Sequence, residues 1–184
     1  MDEQPDPHDD PPITSDDPLD WVRYYWEQIL AEPPEMFLTM AAVMRLHQIT
    51  LKVMKKTLKP IGLNPRTYLF LMTLVLSKDG SRLLSRLSED LMVHPTTITI
   101  LADQLEERAL VTRVPHPSDR RAMICRLTLE GRELALRATN TLHKSNFGLT
   151  GLELNSASEL LSKINEVRRA VGDRESRGGA LHRR

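Results

Sequence analysis

The first segment whose side chains suggest a chemistry is residues 95–108, which Pro95 opens as the first residue of a predicted helix. Three hydroxyl side chains lie in its first turns, those of Thr96, Thr97 and Thr99. Hydroxyls at a helix N-terminus can hydrogen-bond to phosphate oxygens and to the edges of bases. A threonine-rich first turn is also an ordinary helix start, so this segment alone leaves both interpretations open.

The same helix divides into a core-facing and an outward-facing side. At about 100° per residue, the core-facing side chains are Ile98, Leu101, Ala102 and Leu105. The outward-facing ones are Thr96, Ile100, Asp103 and Glu107. An exposed Ile100 is able to contact the methyl group of a thymine.

The second segment is a basic turn, residues 116–121, between two short apolar runs at 110–114 and 123–127 that predict the strands of a β-hairpin. Its residues are His116, Pro117, Ser118, Asp119, Arg120 and Arg121. A thin tip with guanidinium groups can enter the minor groove of DNA, where negative potential is concentrated. Asp119 is placed to hold the side chain of Arg121 in position. The alternative for the turn alone is a solvated charged loop.

The elements before the hairpin position both segments. Leucines at helical spacing predict a short helix over 84–91, three residues before Pro95, and two short helices joined so closely form a helix-turn-helix. Upstream, apolar spacing predicts helices over 18–31 and 35–59, and a short strand near 81–83. Between them, Asn64 and Pro65 provide the cap and first residue of a helix that ends near Ser77. The predicted fold is therefore mainly α with a small β-hairpin, an α+β winged helix-turn-helix.

Two further helices are predicted after the hairpin. The first spans 129–147. The second has the strongest start signal in the chain, because Thr150 and Glu153 have the spacing of a capping box and Leu149 and Leu154 that of a hydrophobic staple. Its apolar residues, Leu154, Ala157, Leu161 and Ile164 among them, form one stripe.

Charge is distributed unevenly along the chain. The 184 residues hold 25 basic and 25 acidic side chains, but residues 1–20 hold eight of the acids, five prolines and no Lys or Arg. Residues 21–184 therefore carry a net charge of +8, which favours contact with phosphate. The acidic segment buries too little apolar surface to fold, and is either a solubilising tail or a competitor for the basic surface.

Several classes of protein are excluded or disfavoured. There is no glycine-rich phosphate loop, nucleophile elbow or metal-binding motif, so we expect neither an enzyme nor a cofactor. The six histidines are scattered without a close ligand pair. A signal-peptide pattern and an apolar run of membrane-spanning length are both absent, and a single cysteine precludes an intrachain disulfide, which favours a cytoplasmic protein with no membrane partner.

The sequence resembles the MarR (multiple antibiotic resistance regulator) family over roughly residues 36–171. Residues 87–134 carry the strongest likeness, and residues 62–74, GLNPRTYLFLMTL, resemble the family's second helix. The most specific motif is Asp-Arg-Arg at 119–121, followed by Leu127-Thr128 and Gly131-Arg132.

The resemblance implies a homodimer that binds a pseudo-palindromic operator in double-stranded DNA. Arg121 would enter the minor groove with Asp119 as its support, and the first turns of the helix at 95–108 would lie in the major groove. The predicted DNA-binding set is Pro95, Thr96, Thr97, Thr99, Ile100, Asp119, Arg120 and Arg121. The implied domains are an acidic tail 1–17, dimerisation helices 18–62, a winged domain 63–128, dimerisation helices 129–172 and a basic tail 173–184.

Three residues depart from the family pattern. Position 100 is often polar or basic and position 104 often Arg, whereas this chain has Ile100 and Gln104; His94 stands where a Ser cap is usual. The resemblance implies a transcriptional regulator, by default a repressor released by an aromatic or anionic small molecule. The alternative is a winged-helix ligand-binding or protein-interaction module that has lost specific DNA binding.

The resemblance also suggests where an effector binds. The candidate ligand-binding residues are Met40, Met44, His47, Arg66, Tyr68 and Met72. For the methionines the alternative is plain dimer core, and for His47 a core or interface histidine. An added helix at 18–31 is shared with the urate-responsive branch, but Leu69 stands where that branch has an acid, which argues against urate. Cys125 is either a redox sensor or a small buried apolar residue.

Overall fold

The computed structural model describes residues 16–119 and 121–173. Arg120, most of the predicted acidic tail and nearly all of the predicted basic tail lie outside these residues. The chain divides into two compact units, residues 1–50 and residues 51–184, and the division falls within a helix. No helix in the described ranges is long and apolar enough to cross a membrane.

The N-terminal unit contains helix α1 and the first part of helix α2. Helix α1 spans Asp20–Ile29, with Leu30 as its C-cap. Helix α2 spans Glu35–Leu58 and begins five residues after Leu30. The indole N–H of Trp26 donates to the carbonyl of Glu32 at 2.7 Å, and its ring lies 4.9 Å from that of Phe37. Together these contacts fix the turn that joins the two predicted helices.

The larger unit is built on helix α3, Pro65–Val75. Its predicted cap is confirmed, because the side chain of Asn64 accepts hydrogen bonds from the backbone N–H groups of Arg66 and Thr67 at 2.9 and 3.0 Å. Thr67 completes a capping box by accepting from the N–H of Asn64 at 2.9 Å. The core-facing side chains of α3 belong to one apolar cluster, to which three later helices also contribute. These are α4 (Leu84–Asp90), α5 (Pro95–Glu107) and α6 (Leu129–His143).

A three-stranded antiparallel sheet forms the wing. Strands β1, Ser81–Leu83, β2, Val111–Pro115, and β3, Met123–Leu127, lie in the order β1-β3-β2. Cys125 on the central strand pairs with Arg82 on one side and Arg113 on the other. The prediction of a mainly helical α+β winged helix-turn-helix is confirmed.

The chain after α6 departs from the prediction. The helix predicted over 129–147 ends at His143, and a single 3₁₀ turn, Asn146–Gly148, follows. Phe147 within that turn has a left-handed backbone (φ 56°), which an α-helix cannot contain.

The capping box predicted at Thr150 is wrong. Helix α7 spans Leu154–Ala170 and begins after Glu153, which makes no side-chain cap hydrogen bond. The hydroxyl of Thr150 instead donates to the carbonyl of Ser145 at 3.3 Å. Gly151 has φ 90°, so the residue after the supposed cap is not helical, and the local sequence spacing is satisfied without the structure it usually marks.

Candidate nucleic-acid interface

The helix-turn-helix consists of α4 and α5, and its turn is tight. Met92 takes a left-handed conformation with φ 50°, and the N–H of Val93 donates to the carbonyl of Ser88 at 3.0 Å. Four apolar residues of α5 are buried in the core as the helical pattern predicts: Ile98, Leu101, Ala102 and Leu105. The opposite side of α5 is thereby left to face outward.

His94 caps the N-terminus of α5. Its Nδ1 accepts the backbone N–H of Thr96 at 3.3 Å and lies 3.1 Å from the hydroxyl of the same residue. Because a backbone N–H can only donate, Nδ1 is the unprotonated ring nitrogen. A histidine therefore fills the role that a serine was expected to fill.

The predicted DNA-contact residues of α5 lie together at this end of the helix. Pro95, Thr96, Thr99 and Ile100 are exposed, and Thr97 is half-buried. The hydroxyl of Thr99 donates to the carbonyl of Pro95 at 3.1 Å, which orients the side chain along its own helix. The first two turns of α5 therefore offer one continuous exposed surface.

Asp119 supports the wing tip differently from the prediction. Its carboxylate accepts the backbone N–H of Arg121 at 3.0 Å, rather than the guanidinium. The tip is closed by two backbone hydrogen bonds, from His116 to Ala122 at 2.9 Å and from Ala122 to Asp119 at 3.0 Å. Arg121 is exposed and makes no ion pair with any residue that the structure describes. Its guanidinium is thus free to contact an external anion, whereas Asp119 fixes only its backbone.

Arg113 ties the wing to α5, a role that sequence reasoning missed. Its Nη1 lies 2.6 Å from Asp103, and its Nε and Nη2 donate to Glu106 at 2.9 and 2.6 Å. The backbone N–H of Arg113 donates to the other oxygen of Glu106 at 2.8 Å. We call Arg113, Asp103 and Glu106 the Arg113 network. It joins β2 to α5 and leaves Arg113 unavailable for phosphate.

The Arg113 network makes the free energy of unfolding depend on pH in the acidic range. Hydrogen bonding from Arg113 lowers the pKa of Glu106 below 4.5, so Glu106 stabilises the folded state above that pH and loses this contribution as pH falls. In urea unfolding from about pH 6 to pH 3, Glu106→Gln should show a weaker pH dependence than the parent, by about 1 kcal/mol because the pair is partly exposed. Glu107→Gln, one residue away, is the control. Equal pH dependence in Glu106→Gln and the parent would contradict the network.

Two other arginines that the sequence places near the wing have different environments. Arg108 donates from Nη1 to the carbonyl of Gly62 at 2.8 Å, which joins the end of α5 to the segment before α3. Arg126 is exposed on the central strand. Arg108 and Arg113 therefore join elements of the fold, whereas Arg121 and Arg126 place positive charge on the surface.

Comparison with known proteins decides the family. The MarR family model matches residues 64–123. Sco5413, a MarR family transcriptional regulator from Streptomyces coelicolor, is 33% identical with a TM-score of 0.69, and the match covers 78% of this chain and 99% of that one. This chain belongs to the MarR family. It is a transcriptional regulator and not an enzyme, as its sequence predicted.

Two other solved structures share the MarR fold of this chain. Sco3205 from Streptomyces coelicolor, in complex with DNA, is 20% identical with a TM-score of 0.68, covering 83% of this chain and 96% of that one. CouR from Rhodococcus jostii RHA1, bound to p-coumaroyl-CoA, is 26% identical with a TM-score of 0.61, covering 68% and 88%.

The candidate effector residues of this MarR-family chain are divided between the two units. Met40, Met44 and His47 lie on α2 in the N-terminal unit, and all three are exposed. In the larger unit Arg66 is exposed. Tyr68 and Met72 both contact Thr139, a residue that the sequence analysis did not single out. The hydroxyl of Tyr68 lies 3.0 Å from Oγ1 of Thr139, which lies 3.2 Å from Sδ of Met72.

An open cleft of about 470 Å³ lies elsewhere in the larger unit of this MarR-family protein. It is lined by Lys59, Gly62, Leu63, Asn64, Thr67, Gln104, Leu105, Glu107 and Arg108. None of the six candidate ligand residues is among them, so the predicted effector site and this cleft are different places.

The environment of Cys125 argues against a role as a thiol sensor. The side chain is fully buried in the central strand of the sheet. Burial raises the pKa of its thiol from 9.0 to about 12, so almost none of it is thiolate at neutral pH. The thiolate is the form that oxidants attack, which supports the alternative that Cys125 is a small buried apolar residue.

Proposed function

We propose that this regulator binds a pseudo-palindromic operator in double-stranded DNA, with α5 in the major groove and the wing tip in the minor groove. The observation that carries the proposal is the Arg113 network, which fixes an exposed wing carrying Arg121 to the helix that exposes Thr96 and Ile100. A rigid pair of elements can dock into two grooves together at little entropic cost. The complex of Sco3205 with DNA supports the same use of the fold.

The proposal includes a homodimer, and α7 supports it. This helix has 17 residues and none is buried. Its apolar side chains occupy one stripe and are largely exposed: Leu154, Leu161, Ile164 and Val167, with Val171 just after the helix. An amphipathic helix needs a partner for its apolar face. A second copy of the chain provides that partner, and two winged domains related by a twofold axis match two half-sites.

Repression with release by a small molecule is the regulatory part of the proposal. A dimer seated on its own promoter excludes polymerase, and an aromatic or anionic effector would favour a conformation that no longer fits two half-sites. CouR, which binds an aromatic acyl thioester, supports an effector of this kind. Met40, Met44, His47, Arg66, Tyr68 and Met72 remain the proposed ligand-binding residues.

The first test is DNA binding by the full chain. Mobility shifts would compare the duplex immediately upstream of its coding region with a scrambled duplex of equal length, across a salt series. Specific binding that weakens steeply with salt supports the proposal. Equal weak binding to both duplexes, and to sites selected from a random library, would favour a winged-helix module without DNA specificity.

Arg121→Ala tests the minor-groove contact. Removing an exposed guanidinium that enters the groove should weaken operator binding about ten- to a hundredfold and reduce the salt slope by about one. The melting temperature should not change, because Arg121 is exposed and unpaired among the described residues. Arg137→Ala removes the same charge from the exposed side of α6 and is the control. Equal affinity of both variants would refute the role of Arg121.

A further inference from the structure

The DNA-facing helix has no basic side chain. Its 13 residues, PTTITILADQLEE, contain neither Lys nor Arg. Bidentate contact of Arg or Lys with the O6 and N7 acceptors of guanine is the commonest specific contact in the major groove. Two of its acids, Asp103 and Glu106, are held by Arg113. Helix α5 therefore lacks the basic groups that make the bidentate contact with guanine.

Among its exposed side chains, which are otherwise mostly polar, α5 has one large apolar residue. Ile100 is 51% exposed, while the other large apolar side chains of α5, Ile98, Leu101 and Leu105, are buried. Ile100 thus contributes little to the core. An exposed β-branched apolar side chain does not increase solubility either, so neither role accounts for it. It lies one turn from Thr96, and both are on the side of α5 opposite the buried residues.

Two of the neighbouring hydroxyls, those of Thr99 and Thr96, have hydrogen-bonding partners within the protein. Thr99 donates its hydroxyl hydrogen to the carbonyl of Pro95 at 3.1 Å. The hydroxyl of Thr96 lies 3.1 Å from Nδ1 of His94. The side chains of Thr96 and Thr99 also carry acceptor lone pairs and methyl groups that they can offer to DNA.

We propose that α5 reads thymine, and that Ile100 is its specificity-determining residue, packing against the 5-methyl group of a thymine in each half-site. The proposal rests on the proposed function, because it assumes that α5 enters the major groove. The thymine methyl is the one apolar group that a base edge presents there. Its complement is an exposed aliphatic side chain, which Ile100 supplies on α5 one turn from Thr96.

The test removes the methyl group without changing any hydrogen bond. Binding sites are first selected from a random duplex library with the full-length protein. Each thymine of the selected duplex is then replaced by deoxyuridine, one position at a time, and affinity is measured for the parent protein, Ile100→Ala and Leu129→Ala. Leu129 is an aliphatic side chain that is 68% exposed on α6 rather than on α5, so it is the matched control.

We expect one symmetry-related pair of thymines at which the replacement weakens binding by the parent about three- to tenfold, the effect of losing buried methyl contacts. Leu129→Ala should keep that loss. Ile100→Ala should bind more weakly and show no further loss at that pair.

Other results would overturn the proposal. If no thymine is sensitive to loss of its methyl group, or if Ile100→Ala keeps the full loss, Ile100 does not read thymine, although the protein still binds DNA. If the library yields no enriched sequence at all, the proposed function fails, and this inference fails with it.

Discussion

Replacing Leu161 and Ile164 together with aspartate is expected to convert the protein from a dimer to a monomer. Both lie on the apolar stripe of α7 and are 58% and 40% exposed in the single chain. Burying each in an interface contributes about 1.5–3 kcal/mol, and a carboxylate in its place must be desolvated as well. The dimer dissociation constant should rise by at least about a thousandfold. Sedimentation velocity across a concentration series measures the change.

DNA binding should fall with dimerisation. A monomer contacts one half-site, so affinity for the full operator should drop by about a hundredfold or more, while a single half-site is bound as before. The control is Asn155→Asp with Ser162→Asp, which adds the same charge to the opposite, polar side of α7. Circular dichroism should show helix content unchanged, since α7 has no buried residue to lose. An unchanged sedimentation coefficient for the Leu161 and Ile164 variant would place the dimer interface elsewhere.

Which parts of this structure the sequence predicts depends on how local their causes are. The start of α3 was predicted because Asn64 and Pro65 act on the two or three residues that follow them. The buried face of α5 followed in the same way from helical periodicity. The cap at Thr150 is wrong although its spacing is local, because Gly151 takes a left-handed conformation and the chain turns before the helix begins.

The candidate site shows the same division. Thr96, Thr99, Ile100 and Arg121 were predicted from residue type and the order of elements, and all are exposed, while their contact with DNA stays a prediction. The role of Arg113 was not predicted, because its partner Glu106 is on a different element and only the packing of β2 beside α5 brings them together. The contact between Tyr68 and Thr139, 71 positions apart in sequence, is likewise a product of tertiary packing. Long-range polar pairs leave no periodic signal in a single sequence.

Gly131, in the first turn of α6, lies very close to the backbone that leads into strand β2. A Cβ at this position would lie 2.0 Å from the carbonyl oxygen of Leu110 and 3.0 Å from Cδ1 of Leu127. The same carbonyl accepts the N–H of Thr128 at 3.2 Å. The hydroxyl of Thr128 accepts from the N–H of Gly131 at 3.0 Å and donates to the carbonyl of Ala109 at 2.8 Å. Helix α6 is therefore joined directly to the backbone that enters β2.

Gly131→Ala is expected to destabilise the protein by about 3 kcal/mol or more, because α6 must move away from β2 and lose part of this hydrogen-bonded junction. Thermal unfolding should show a melting temperature lower by about 6–12 °C. The sign is informative, since helix propensity alone would make alanine more stable than glycine by about 1 kcal/mol.

The control for Gly131→Ala is Leu129→Ala, two residues earlier in the same turn, where the side chain is 68% exposed and the cost should be below about 1 kcal/mol. Operator binding should separate the two variants as well. Displacing β2 moves Arg113 relative to Asp103 and Glu106, so the wing tip loses its fixed position beside α5. A Gly131→Ala variant that melts at or above the parent temperature would contradict the close approach of α6 to Leu110.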